Sequence, residues 1–300
     1  MQPLRYHAAA IVLVGAMIVI GAFGPVRGQA QGTLPATVQF PSADGTTTLT
    51  GFVYTPKDKR AERAPAVVMM HGRAGPYSIN VKDRGPYNAS TLSKRHKMWG
   101  ESWSALGYVA VLVDSFGPRG YPGGFGRHTI NERPDAVNEI MVRPFDAYGA
   151  LAYLRGRSDV APDRIGLQGW SNGGSAALAA MAVDAQRLAG TGGFRAALVF
   201  YAGCGLRGHF DAQGYRPYAT VLAFHGTGDE ETSPKLCQRF VERSRELGSD
   251  ITLKLYPGAS HGFDDPGRQK VSANRNASAD ARASSEALFE RILGPEPPRR

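Results

Sequence analysis

The stretch LQGWSNGG, residues 167–174, decides how this chain is read. Its centre has the spacing G-x-S-x-G. Alone that spacing is a weak signal, because 37 of the 300 residues are glycine. The flanks give it content. The apolar run RIGL (164–167) leads into the glycine, and an alanine-rich segment, SAALAAMAV (175–183), follows at once. This is a strand, a sharp turn and a helix. A serine at such a turn holds its hydroxyl above the sheet edge, beside the free N–H groups at the positive end of the helix. Ser171 is therefore read as a nucleophile. Ser175 is a rival hydroxyl, but it lies a turn inside the helix with no glycine frame.

Outward from the elbow, short apolar runs alternate with longer stretches of helical spacing. TVQF (37–40) and TLTGFVY (48–54) read as an antiparallel start. AVVMM (66–70), YVAVLVD (108–114), RAALVFYAG (195–203), TVLAFHG (220–226) and ITLKLYPG (251–258) read as further strands, mostly buried on both faces. Helices are expected over 97–107, 135–156, 175–183, 234–247 and 279–293. The alternation implies one α/β domain over 31–300, a mostly parallel doubly wound sheet flanked by helices, with ligands at the carboxyl ends of the strands.

A serine hydroxyl needs a base, and the base needs an orienting carboxylate. In this architecture the chain order is Ser, acid, His. HGTGDEETSP places Asp229 after the strand TVLAF, and YPGASHGF places His261 after the strand ITLKL. Asp229 is preferred over Glu230 and Glu231 because Gly226 and Gly228 let the chain turn just before it. Its two neighbours are expected to face solvent. Asp264 and Asp265 are weaker candidates because they directly follow the histidine's own turn. The oxyanion needs two donors: the N–H of Asn172, and the N–H of Arg73 in the loop HGRAG (71–75). The Arg73 guanidinium is either a surface charge or a hand for a substrate carboxylate. His71 and His225 read as structural members of their turns. His96, His128 and His209 have no partner at metal-ligand spacing, so neither a metal nor a cofactor is expected. Two polar loops, 76–97 and 114–128, are expected to wall the site; plain surface loops are the alternative.

The net charge of +9 comes from scattered lysines and arginines without a nucleic-acid motif, so a solvated basic surface is expected and no nucleic-acid partner. Residues 1–30 have the layout of a secretory signal peptide: Arg5, an uncharged apolar run from Ala8 to Gly24, and Gly28 and Ala30 at the small positions of a cleavage site. The mature protein is then exported, periplasmic or secreted, without a membrane span. An uncleaved N-terminal anchor is the competing reading. In an oxidising compartment Cys204 and Cys237 are expected to pair; two buried thiols are the alternative.

The elbow GWSNGG, the acid loop HGTGDEETSP, the histidine loop YPGASHGF and HGRAG together resemble the dienelactone hydrolase family of the α/β-hydrolase superfamily. RHKMWGESWSALGYVAVLVDSFGPRG (95–120) and RPFDAYGALAYLRGRSDVAPDRIGLQGWSNGG (143–174) look like that family too, so the resemblance spans most of 45–293. It implies nucleophile Ser171, acid Asp229, base His261 and oxyanion donors near Arg73 and Asn172. The founding members use a cysteine nucleophile. Serine here points to a hydrolase of small carboxylic esters or lactones, working through an acyl-enzyme. Two other readings stay open. GWSNGG also resembles the prolyl oligopeptidase catalytic domain, although no propeller-length segment precedes the domain. A non-catalytic secreted binding protein on the same scaffold is the third.

Overall fold

The computed structural model describes residues 34–57, 62–81, 85–182 and 192–294, with the single positions 1, 184 and 190. The expected signal peptide over 1–30 lies, but for Met1, outside the described residues. Among the described residues no helix is long and apolar enough to cross a membrane. From Leu34 onward the chain is one compact unit.

Its frame is a single eight-stranded sheet. The strands are β1 (Ala36–Pro41), β2 (Thr48–Tyr54), β3 (Ala64–Met70), β4 (Val109–Asp114), β5 (Val160–Trp170), β6 (Ala196–Phe200), β7 (Thr220–Gly226) and β8 (Ile251–Tyr256). Their order is β1-β2-β4-β3-β5-β6-β7-β8. β1 and β2 form an antiparallel edge that meets β4 antiparallel, and all other pairs are parallel. The helices are α1 (Lys94–Ala105), α2 (Arg143–Arg155), α3 (Asn172–Ala180), α4 (Pro234–Glu246) and α5 (Ser272–Leu293).

The period of two along each strand sorts its side chains between two cores. Val67, Met69, Ala110, Leu112, Leu198 and Phe200 pack against Trp99 and Trp103 of α1 and Phe289 of α5. Val68, Met70, Val111, Val113, Leu167 and Val199 pack against Leu151 of α2, Leu178 of α3 and Val241 of α4. With both faces covered, central strands must be apolar throughout, which is why they read as continuous runs.

Helix 135–156 is corrected to begin at Arg143. Pro144 sits in its first turn, where a missing N–H costs nothing. Upstream, the Asn138 side chain accepts from the Ile140 and Met141 amides and closes a separate turn. The strand expected to reach residue 203 stops at Phe200, because Tyr201 turns to φ 37°. The last helix starts at Ser272, earlier than residue 279.

Candidate active site

β5 lies between β3 and β6, with Gly169 opposite Met70 and Trp170 opposite Phe200. The Ser171 N–H takes the Phe200 carbonyl at 2.9 Å, and the chain then turns at φ 52°, ψ −117° into α3. Few L-residues adopt this backbone. The glycines on either side are there for close approach. A Cβ on Gly169 would strike the Gly173 carbonyl, and one on Gly173 would strike the Met70 and His71 carbonyls. The turn can therefore be this sharp only with glycine at both places.

β7 and β8 end beside it. The Thr227 N–H bonds the Tyr256 carbonyl at 2.9 Å and Gly228 bonds Ala259 at 3.0 Å, which pins the acid and histidine loops together. His261 Nε2 stands 3.0 Å from Ser171 Oγ. Its Nδ1 donates to Asp229 at 2.9 Å to Oδ2 and 3.1 Å to Oδ1. That fixes the tautomer that leaves the Nε2 lone pair facing the hydroxyl. The Asp229 side chain is fully buried and also accepts the Glu231 and Thr232 amides, each at 2.8 Å, and the Thr232 hydroxyl at 2.9 Å. Burial alone would raise its carboxyl. The hydrogen bonds from His225, His261 and the Thr232 amide outweigh that and hold it well below the usual carboxylate range.

Several neighbours differ from expectation. Glu231 does not face solvent; its side chain is 9% exposed and pairs with Arg73 at 2.8 Å and Arg127 at 2.9 Å. Glu230 is more open, yet it accepts the His261 backbone N–H at 3.1 Å and pairs with Arg268 at 3.2 Å. Arg268 in turn donates to the His261 carbonyl at 2.7 Å, so both peptide groups of the histidine are held. The Arg73 guanidinium is neither a free surface charge nor an open hand for a carboxylate: Glu231 already occupies it. Asp264 is buried away from His261 Nδ1. It accepts the indole N–H groups of Trp99 at 2.8 Å and Trp170 at 2.9 Å, and the Tyr201 hydroxyl. Asp265 pairs with Arg95 at 3.1 Å. Ser175 ties α3 to the next loop through Gly203, donating at 3.2 Å and accepting at 3.1 Å.

His71 is fully buried and neutral in its role: Nδ1 donates to the Gly72 carbonyl at 2.7 Å, and Nε2 accepts the Ser115 N–H at 3.2 Å. Burial, and then the nearby Arg143 charge, push its pKa well down. His225 does more than shape its turn. Its Nε2 lies 3.1 Å from Asp229 Oδ2, so the carboxylate sits between two imidazoles. The i, i+4 spacing in HGTGD carried that signal.

The HGRAG loop passes directly beside the elbow: a Cβ on Gly72 would lie 3.3 Å from the Trp170 carbonyl and 3.5 Å from Ser171 Cβ. Neither the Arg73 nor the Asn172 backbone N–H donates to a protein acceptor among the described residues. Over them opens a cavity of about 360 Å³, lined by Arg73, His128, Ile130, Arg133, Ser171 and Arg207 among others. The loop expected over 114–128 does contribute to its wall. The described part of 76–97 does not: Tyr77, Ala89 and Leu92 pack into the core against Phe52 and α1. Cys204, beside the cavity wall, is disulfide-bonded to Cys237 of α4. Among the described residues no cluster of three or more His, Cys, Asp or Glu side chains fits a metal ion.

Residues 49–293 match the model of the dienelactone hydrolase family. The chain belongs to that family. It is 26% identical over 160 residues, 53% of this chain, to a Bradyrhizobium protein named as a probable 2-oxo-3-(5-oxofuran-2-ylidene)propanoate lactonase; the match spans 63% of that relative, less than two thirds of its length. The fold is shared with a thermophilic esterase of Thermogutta terrifontis (TM-score 0.58, 19% identity, 89% of this chain and 95% of that one). It is shared as well with a dienelactone hydrolase-like promiscuous phosphotriesterase from metagenomic libraries (TM-score 0.62, 17% identity, 87% and 99%). The family is one of hydrolases, and its fold is the α/β-hydrolase sheet described above.

Proposed function

We propose that the protein is a serine hydrolase of small carboxylic esters or lactones, with Ser171, His261 and Asp229 as its catalytic triad. The observation that carries the reading is the 3.0 Å contact between Ser171 Oγ and His261 Nε2 at a positive-φ turn. His261 removes the hydroxyl proton as Oγ attacks the carbonyl carbon. The oxyanion of the tetrahedral intermediate takes the Asn172 and Arg73 amides. His261 then protonates the departing alkoxide, and the acyl-enzyme forms. Water repeats the sequence through the same imidazole and releases the acid. Asp229 holds the tautomer and stabilises the imidazolium. In a lactone the leaving alkoxide stays tethered to the acyl group, so one product leaves after the second half-reaction.

The lactonase name of the Bradyrhizobium relative and the esterase name of the Thermogutta neighbour support the substrate class. The Cys204–Cys237 bond supports an exported protein, since such bonds persist in oxidising compartments. The test is turnover of p-nitrophenyl acetate and of a graded panel of esters and lactones, beside proline-directed peptides, by the wild type and by Ser171→Ala. Ester or lactone turnover that vanishes in the variant, with labelling of Ser171 by a fluorophosphonate, is the expected result. Turnover persisting in Ser171→Ala would refute the assignment, and peptide cleavage alone would favour the peptidase reading.

A further inference from the structure

Arg143, the first residue of α2, is a cation with no exposure to solvent. Among the described residues no carboxylate lies within ion-pairing distance of it. The acids that act on it electrostatically are engaged elsewhere: Asp146 with Arg119 at 2.8 Å and Ser42 at 2.9 Å, Glu139 with Arg207 at 2.8 Å, and Asp114 with the Tyr77 hydroxyl at 2.9 Å. Its Nε has no hydrogen-bond partner, and the guanidinium stands 4.9 Å from the centre of the Phe116 ring. Burying a guanidinium without a counter-ion is costly, and a fold keeps such a group where its geometry is needed.

The geometry is a fork. Nη2 donates to the His71 carbonyl at 2.8 Å, and Nη1 donates to the Asn172 side-chain oxygen. His71 opens the loop that carries the Arg73 N–H, and Asn172 supplies the other free N–H beside Ser171. These amides come from segments far apart in sequence. A planar guanidinium with donors at fixed spacing is suited to set the distance between them. The far side is braced too, because Asn172 Nδ2 donates to Glu139 at 3.1 Å. The Gly72 carbonyl accepts both His71 Nδ1 at 2.7 Å and the Gly75 N–H at 3.1 Å, which polarises the peptide that ends in the Arg73 N–H.

We propose that Arg143 is a positioning residue of the oxyanion site: its single guanidinium holds the Arg73 and Asn172 amides at the separation one developing oxyanion requires. The inference rests on the hydrolase reading above. It places the effect in the transition state, because a ground-state carbonyl needs these donors far less than the oxyanion does.

The test compares the full-length wild type with Arg143→Lys and Arg143→Met, using p-nitrophenyl acetate and near-ultraviolet circular dichroism to verify folding. Both variants are expected to lose about 10²- to 10³-fold in kcat, the scale of a lost oxyanion donor, with KM within about threefold of wild type. Lysine keeps the charge but not the fork, so it does not restore the rate. A folded Arg143→Lys with kcat within about threefold of wild type, or a loss confined to KM, overturns the proposal. If neither variant folds, Asn172→Ala decides: it removes one arm of the clamp and leaves the backbone N–H, and a fall of about tenfold in kcat alone is expected. Unchanged kcat there overturns the proposal. A wild type that does not hydrolyse esters sinks the hydrolase reading and this inference with it; an active wild type with indifferent variants sinks the inference alone.

Discussion

Replacing Ser171 by alanine and by glycine separates backbone strain from chemistry. Both variants lose Oγ and its hydrogen bond to His261, so both are expected to be inactive. They differ in Cβ. At φ 52°, ψ −117° an alanine keeps the steric conflict that the serine has, while glycine has none. Residues held in such regions cost about 1–3 kcal/mol. Against that relief stands the greater freedom of glycine in the unfolded chain, about 0.5–1 kcal/mol. The difference leaves Ser171→Gly more stable than Ser171→Ala by about 0.5–2 kcal/mol. For a chain of this size, at about 2 °C per kcal/mol, that is a rise of roughly 1–4 °C in unfolding midpoint. Urea titration followed by fluorescence, with calorimetry on the same samples, measures it. The comparison needs no substrate and does not depend on the proposed activity. A glycine variant no more stable than the alanine variant would show that the elbow stores no strain, and the argument from its backbone would fail.

Three further perturbations follow from the same geometry. Asp229→Asn is expected to lower kcat on an ester by about 10³- to 10⁴-fold through loss of the correct imidazole tautomer. The native carboxyl is held below its unfolded value, so its contribution to stability is present above about pH 4 and is lost as pH falls toward the folded value; the urea midpoint of Asp229→Asn should therefore depend less on pH between about 5 and 2 than that of the wild type. His225→Leu removes one of the two imidazoles on Asp229, and the loss of a hydrogen bond to a charged group sets the expected fall in kcat/KM at about 10–100-fold, which His225→Gln should partly restore; equal activities in all three proteins would contradict it. Cys204→Ser with Cys237→Ser opens a bridge between residues 33 apart in sequence, worth about 3–4 kcal/mol in the chain-entropy picture, and should lower the thermal midpoint without changing KM beyond a small factor.

Much of the candidate site is legible in the sequence because its parts are local. A turn that brings Gly169 and Gly173 against neighbouring carbonyls admits no side chain, so the glycines announce the elbow. Strands buried on both faces must be apolar throughout, so each ends visibly where the polar loop begins, and Asp229 and His261 stand at two such ends. What the sequence misplaces is contact between distant charges. Glu231 reads as a solvated neighbour of Asp229, yet it lies against Arg73, on a loop 158 residues earlier. Arg143 reads as one position in an amphipathic helix, because its partners, His71 and Asn172, come from a distant loop and from the first turn of α3. The helix boundary at Arg143 was hidden for a related reason: Val137 and Ile140 keep helical spacing through a short 3-10 turn and a second turn that the Asn138 side chain and carbonyl close.

By itself, then, the order of apolar runs and glycine turns determined the layered sheet, the place of Ser171 at its elbow and the places of Asp229 and His261 at two later strand ends. Those depend on periods of two and 3.6 and on steric limits at single residues, all of which act between near neighbours. Only the tertiary structure decided which carboxylates are paired, and that one buried guanidinium bridges the His71 carbonyl and the Asn172 side chain beside Ser171. These are pairings at a few ångströms between segments from 29 to 158 residues apart, and no local pattern encodes a distance of that kind.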